Sequence, residues 1–245
     1  MLNGDSPPVQ ARNSLEDVKR QPAPLGLKSL MIQFGGIPKE IPGVKQKLLT
    51  FLFAVLALAG APAFAQAEEA VAVFAGGCFW CMEPPFDKTK GVLSTTSGYI
   101  GGETPNPSYE EVSGGGTGHI EAVKITYDPE KVSYSDLLHI FWRNIDPLRE
   151  NAQFCDEGAQ YSSAIFYLDE TQKKEAERSR QELEASGRFS KPIVTAIREA
   201  TAFYPAEEYH QDYYLKNPAR YTYYRWRCGR DAQLRRLWGD EAGKH

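Results

Sequence analysis

The sequence predicts an α+β domain in which helices cover one side of a mainly antiparallel sheet. Three observations predict it. His119 to Tyr127 alternates like a half-buried strand, with Ile120, Ala122, Val123, Ile125 and Tyr127 apolar and Glu121, Lys124 and Thr126 between them. The stretch after Ser133 instead carries Leu137, Leu138, Phe141, Trp142 and Ile145 at helical spacing. Read end to end, the elements run β-α-β-β-α-β-α-β, an order that suits helices segregated to one side of the sheet.

In chain order, Val71-Ala72-Val73-Phe74 is a short apolar run of the kind a buried strand shows. Gly76-Gly77 then turns the chain, and Cys78-Phe79-Trp80-Cys81 opens a short helix that is expected to run only as far as Pro84-Pro85. Val92 to Tyr99 is β-rich and bounded by turns. Gly101 to Gly118 is polar and broken by Pro105, Pro107 and Gly114-Gly115-Gly116, and an irregular loop of this length in a compact domain is more often functional than filler. The glycine triplet is no phosphate cradle, because neither a strand-loop-helix frame nor a Lys-Ser/Thr pair accompanies it. The strand from His119 ends at Asp128-Pro129. Ser133 caps the next helix, which Asp146-Pro147 stops. An irregular segment with Cys155, Asp156 and Tyr161 leads into a strand at Ala164 to Leu168. Asp169 caps a charged, solvated helix reaching about Ser186, and Pro192 to Ile197 is a further strand. The C-terminal tail is expected to be irregular apart from a short helix near Glu207 to Leu215.

Ahead of this lies a leader. Residues 1–44 show no sustained period and are rich in Pro, Gly and polar residues. Lys45-Gln46-Lys47 then precedes an apolar run at 48–59, and Ala65-Gln66-Ala67 follows. A basic flank, a short apolar core and a small-x-small site are the three parts of a secretory signal peptide. The run is too short for a comfortable span of about 20 residues. Residues 1–67 are therefore expected to be a leader cleaved after Ala67, or less favourably after Ala65. That leaves 68–245 as one exported, periplasmic catalytic domain. A translation start at Met31 and an uncleaved membrane anchor stay open.

The chain is 42% hydrophobic and 24% charged with a net charge of -4, so it can build a core and offers no electrostatic reason to expect nucleic acid. Its four cysteines, Cys78, Cys81, Cys155 and Cys228, fit either disulfides or redox chemistry, and the sequence leaves the pairing open. Cys78 stands out. A thiol at a helix N-terminus faces unsatisfied N–H groups and the positive end of the dipole, which favours the thiolate. The same residue could also be a buried structural cysteine after a tight turn.

Several motifs in one order resemble the peptide methionine sulfoxide reductase A family. They are Gly77-Cys78-Phe79-Trp80, Ser97-Gly98-Tyr99, Gly101-Gly102 with Thr104-Pro105-Asn106-Pro107-Ser108-Tyr109, Gly118-His119-Ile120-Glu121-Ala122-Val123, Gln160-Tyr161-Ser162-Ser163-Ala164-Ile165, and Tyr209-His210-Gln211-Asp212-Tyr213-Tyr214. The resemblance runs from about Val71 to Trp238. It implies a ferredoxin-like two-layer sandwich and reduction of the S epimer of methionine sulfoxide, free or in proteins, as repair of oxidative damage. It also implies roles. Cys78 is the nucleophile and Glu121 the general acid, Tyr99 and Tyr161 hydrogen-bond the sulfoxide oxygen, Phe79 and Trp80 cage the methyl group on sulfur, and Asp156 is an acidic residue of the substrate pocket. The residues alone allow plainer readings: Glu121 facing solvent, the tyrosines as core or rim aromatics, Phe79 and Trp80 as packing. His119 and His210 are read as structural.

The chemistry needs a second thiol to condense with the sulfenic acid left on Cys78. Cys228 is ranked first, then Cys81, which forms a C-x-x-C with Cys78, then Cys155. No prosthetic cofactor or metal is expected. The expected partners are oxidised proteins or free methionine sulfoxide and a thioredoxin-like external reductant, and the chain is expected to be monomeric. Three rivals differ in class: a thiol-disulfide oxidoreductase using the C-x-x-C, a structural four-cysteine zinc protein, and a secreted binding module stapled by two disulfides.

Overall fold

A computed structural model describes residues 69–243. The leader expectation for 1–67 and its apolar run lies outside those residues.

Strand β1 (Ala70–Gly76) lies at the centre of the sheet between β3 (Ile120–Tyr127) and β6 (Ser163–Tyr167). Strand β2 (Val92–Ile100) joins on the far side of β3, and two short strands, β7 (Ala196–Glu199) and β8 (Tyr204–Pro205), close the edges. Every pairing is antiparallel except β6 with β7. The period-2 pattern divides each strand between two cores. Ala72, Phe74, Val123 and Ile125 face the helices, whereas Val73, Ala75, Ile120 and Ala122 face a smaller cluster closed by Phe203 and its neighbours, with no helix. The α+β expectation with helices on one side therefore holds. Glu121 belongs by register to the helix face, directly across from Tyr99 on β2.

Helix α1 (Phe79–Asp87) passes through Pro84 and Pro85 rather than stopping at them. Two helical donors are lost, but both rings are buried and only two residues of helix remain. The loop after β2 holds an unexpected helix, α2 (Tyr109–Gly114), started by a reciprocal capping box between Ser108 and Glu111. Helix α3 (Tyr134–Arg143) is capped by Ser133, and it packs Leu137, Leu138 and Phe141 into the core as its spacing predicts. A two-residue hairpin pairs β4 (Ala152–Gln153) with β5 (Asp156–Glu157). Asp169 caps α4 (Glu170–Ala185) through the amides of Thr171 and Gln172. The strand expected at Pro192 to Ile197 begins later, at Ala196.

The C-terminal tail is helical where it was expected to be irregular. After α5 (Tyr213–Lys216), α6 (Pro218–Arg227) begins on a proline and α7 (Arg230–Trp238) follows Gly229, whose φ of 67° lets the chain turn between them. Their Tyr- and Arg-rich sequence hides how α7 is held: Leu234 and Trp238 enter the main core, and two polar anchors sit beside them. Arg230 is buried and donates to the carbonyls of Gly76 and Asn144, and Trp238 Nε1–H donates to Ile145 O at 2.9 Å.

Candidate active site

The turn after β1 does what its glycines predict. Gly77 has φ 79°, and a Cβ there would collide with Gln153, while one on Gly76 would press into Met82 and Ile145. The chain delivers Cys78 to the N-cap of α1, with Cys81 one turn on donating its N–H to Cys78 O at 3.0 Å. Both are free thiols, and both are buried.

Glu121 reaches the same helix end. It is 2% exposed, so it does not face solvent, and its Oε2 accepts the Phe79 N–H at 3.0 Å, one of the donors a helix start leaves unpaired. Burial outweighs that bond and raises its pKa to about 8. The carboxyl therefore holds a proton at neutral pH while one oxygen is fixed on the helix that Cys78 caps.

The dipole argument for Cys78 gives the wrong sign here. Burial comes first in raising its pKa, followed by the hydrogen bond with Cys81 and the charge of Glu121. That hydrogen bond lowers Cys81 to about 7, helped by the cationic Arg230 and Arg225. The buried pair gives up its first proton readily, and the charge rests on Cys81.

Cys78, Phe79, Trp80, Tyr109, Glu121, Asp156, Tyr161 and Tyr224 line one cavity of about 80 Å³. The structure thus gathers Cys78, Glu121, Tyr161, Phe79, Trp80 and Asp156 as a group. Tyr161 comes in on a 3₁₀ turn (Ala159–Tyr161), and Asp156 comes on β5. Trp80 is fixed on three sides. It stacks on Tyr213 with ring centroids 3.7 Å apart, meets the edge of Tyr224, and donates its Nε1–H to His210 Nδ1 at 3.0 Å. With that nitrogen accepting, His210 is neutral, and its burial lowers its pKa, as a structural role requires. His119 is structural too: its two ring nitrogens meet Gly102 N–H and Thr104 O, which ties down the loop after β2.

Tyr99 is the exception. It is fully buried, its ring packs 6.0 Å from Phe79, and its hydroxyl donates to Glu207 Oε2 at 2.9 Å rather than lining the cavity. The other Glu207 oxygen accepts the N–H of Tyr109 at 2.8 Å. Tyr99 thus helps hold the start of α2, and Tyr109 lines the cavity in its place. The sequence carried the signal: Tyr109 closes the Pro-rich motif of a long loop, and Ser108-x-x-Glu111 reads as a capping box. Tyr224, in the tail expected to be irregular, gave no comparable signal.

The remaining cysteines bear on the choice of resolving thiol, for which Cys228 is ranked first. Cys228 and Cys155 are joined in a disulfide, so neither is free in this state, and Cys81 is the thiol beside Cys78. The same division removes the four-thiolate zinc set. Among the described residues the one cluster with metal-ligand spacing is Cys155, Asp156 and Cys228, and two of its three donors are spent on the disulfide. It also removes the doubly stapled module, since two thiols stay unpaired.

The family model for peptide methionine sulfoxide reductase matches residues 70–242. The chain is 54% identical over 172 residues to peptide methionine sulfoxide reductase MsrA of Bacillus licheniformis, covering 70% of this chain and 95% of that protein. It is 52% identical over 167 residues to the MsrA of Listeria monocytogenes, covering 68% and 94%. The solved methionine sulfoxide reductase A of Corynebacterium diphtheriae superposes with a TM-score of 0.56 at 34% identity, covering 63% of this chain and 77% of that one. Matched over most of its length and carrying the thiol, the buried acid and the aromatic cavity together, the chain belongs to the peptide methionine sulfoxide reductase A family and is a methionine sulfoxide reductase.

Proposed function

We propose that the enzyme reduces the S epimer of methionine sulfoxide, protein-bound or free, by attack of the Cys78 sulfur on the sulfoxide sulfur. One observation carries this reading: a buried carboxyl, protonated at neutral pH and bonded to the helix start, shares an aromatic cavity with the thiol at that helix's N-cap. A sulfoxide sulfur is electrophilic only when its oxygen is protonated or strongly hydrogen-bonded. Glu121 supplies the proton, and the hydroxyls of Tyr109 and Tyr161 supply hydrogen bonds. Phe79 and Trp80 wall the space for the methyl group. The Cys78 thiol passes its proton across the Cys78–Cys81 hydrogen bond and attacks as thiolate. A sulfur–sulfur bond forms, the oxygen moves to the Cys78 sulfur, and methionine leaves with Cys78 as a sulfenic acid. The Cys81 thiol then attacks that sulfur, water departs, and a Cys78–Cys81 disulfide remains. A thioredoxin-like dithiol returns two electrons and two protons by exchange.

The test is incubation of the protein, and of Cys78→Ser, with each epimer of a blocked methionine sulfoxide plus dithiothreitol. We expect consumption of the S epimer alone, abolished by the substitution. Consumption of the R epimer, or activity surviving in Cys78→Ser, refutes the reading. We further propose that the enzyme is exported and acts outside the cytoplasm, on the pattern from Lys45 to Ala67. N-terminal sequencing of the secreted protein checks this, and a mature chain still carrying that run refutes it.

A further inference from the structure

Arg230 is a buried cation held against both flanks of the thiol pair. It is 1% exposed. One guanidinium nitrogen, Nη2, donates to Gly76 O at 3.2 Å, two residues before Cys78, and to Met82 Sδ at 3.1 Å, the residue after Cys81. It also donates to Asn144 O at 2.8 Å, and the guanidinium lies 4.2 Å from the centroid of the Phe154 ring. Its Nε is buried with no partner.

These contacts satisfy donors and leave the charge unanswered. Carbonyls, a thioether and a ring face carry no net negative charge, and a buried ion is almost never left without an opposite one. Among the described residues no carboxylate comes within ion-pair distance of Arg230. Arg225 differs, because Asp231 answers its charge at 2.6 Å. The anion available to Arg230 is therefore sought at the thiols. Cys81 shares a hydrogen bond with Cys78 on its own helix. Asp156 on β5 and Glu121 on β3 face it as acids, and Tyr221 and Tyr224 face it from α6. Apart from the Cys78 hydrogen bond, what favours a negative sulfur there is the charge of Arg230 first and Arg225 second.

We propose that Arg230 is a positioning residue for the reaction: its charge is the counter-ion of a thiolate on Cys81, and it thereby places the base that takes the proton from Cys78. The proposal rests on the reading of Cys78 as the nucleophile of this cavity. It gives α7 a part in charging the site as well as in holding the fold.

The experiment compares Arg230→Gln, which keeps a donor without the charge, with Arg230→Lys, which keeps the charge without the fork. Both disturb the anchor and only one removes the cation. Near-UV circular dichroism checks folding, and Arg230→Met replaces the Gln variant if that does not fold. The readout is the ¹³C shift of the Cys81 Cβ between pH 5 and 10, in cysteine-labelled protein whose mass shows Cys155–Cys228 bonded and Cys78 and Cys81 free. The parent should titrate with a midpoint near pH 7. Arg230→Gln should raise the midpoint by about one pH unit or more, and Arg230→Lys should leave it within about half a unit. The acid limb of single-turnover methionine formation should move with it, so that the rate at pH 6 falls about tenfold in Arg230→Gln and less than about threefold in Arg230→Lys. A midpoint unmoved in Arg230→Gln, or moved equally in both variants, overturns the proposal. Where neither neutral variant folds, the Arg230→Lys titration decides, and a midpoint raised by about one unit or more overturns it. A parent that makes no methionine from a folded, reduced protein overturns the cavity reading instead, whereas the titration, read without substrate, still decides whether Arg230 holds the charge on Cys81.

Discussion

Replacing Glu121 with Gln tests the proposed acid directly, because the amide keeps the shape and can still accept the Phe79 N–H while the proton is lost. In the parent, burial holds Glu121 near pH 8. About nine-tenths of the protein then carries the proton at pH 7 and about one-tenth at pH 9. The rate should therefore fall about tenfold for each pH unit above 8. On the other side it should rise as the thiol pair ionises near pH 7, the value to which the shared hydrogen bond brings Cys81. The result is a narrow bell whose apparent limits belong to the interacting groups together. Glu121→Gln should lower the plateau about 10²- to 10⁴-fold, the usual worth of a positioned acid, and should abolish the alkaline limb while keeping the acid one. The assay is single-turnover release of methionine from a blocked methionine sulfoxide between pH 6 and 10. An alkaline limb that persists in Glu121→Gln, or a rate within threefold of the parent, refutes the assignment of Glu121 as the acid.

The same substitution should stabilise the protein. The folded chain keeps a proton on Glu121 up to about pH 8, whereas the unfolded chain releases it near 4.5, so stability falls as pH rises through that window. Glu121→Gln removes a penalty of at most about 5 kcal/mol, absent at pH 4 and full at pH 9, and urea unfolding at both values checks it. Cys81→Ser should still release about one methionine per protein without reductant, but Cys78 should then be trapped by dimedone as a sulfenic acid, where the parent shows a Cys78–Cys81 bond by mass. A Cys78–Cys228 bond in the parent would refute that route. Gly77→Ala forces a side chain onto φ 79° and into Gln153. It should cost at least about 2 kcal/mol and lower Tm, and an unchanged Tm refutes the need for glycine in that turn.

Strand and helix periodicity made the helix-covered sheet legible, because one core face repeats through Phe74, Val123, Leu137 and Phe141. Cys78 and Glu121 were legible as neighbours of one site through motif and position. Tyr109 was harder to find because it reaches the cavity only through contacts far away in sequence. Glu207 pins its amide, Tyr99 pins Glu207, and His119 ties the loop. No local pattern encodes such a chain of partners. The tail was misread for a related reason. A stripe of Tyr and Arg shows little apolar period, and what holds α7 is a buried guanidinium spanning the carbonyls of Gly76 and Asn144 together with Leu234 and Trp238 in the core. The pairing of Cys155 with Cys228 was likewise not legible, because it depends on which sulfurs meet in space.

The disagreement over Cys78 has a physical resolution that bears on how the enzyme rests. A helix start offers a negative group up to about 2 kcal/mol in favourable, partly buried geometry, or roughly one and a half pKa units. Full burial can move a thiol the other way by about 3–5 units, and a neighbouring carboxylate adds to that. Burial wins, and Cys78 waits as a thiol. The charge goes to Cys81, which accepts the shared hydrogen bond and is favoured by the charges of Arg230 and Arg225. In the proposed mechanism attack requires a proton to cross between the sulfurs, a transfer favoured when Glu121 protonates the sulfoxide oxygen at the same time. On that mechanism Cys78 and Glu121 are activated by the same event, the arrival of a substrate that excludes water from the cavity. A resting Cys78 of this kind is a poor target for stray oxidants, which react with thiolates.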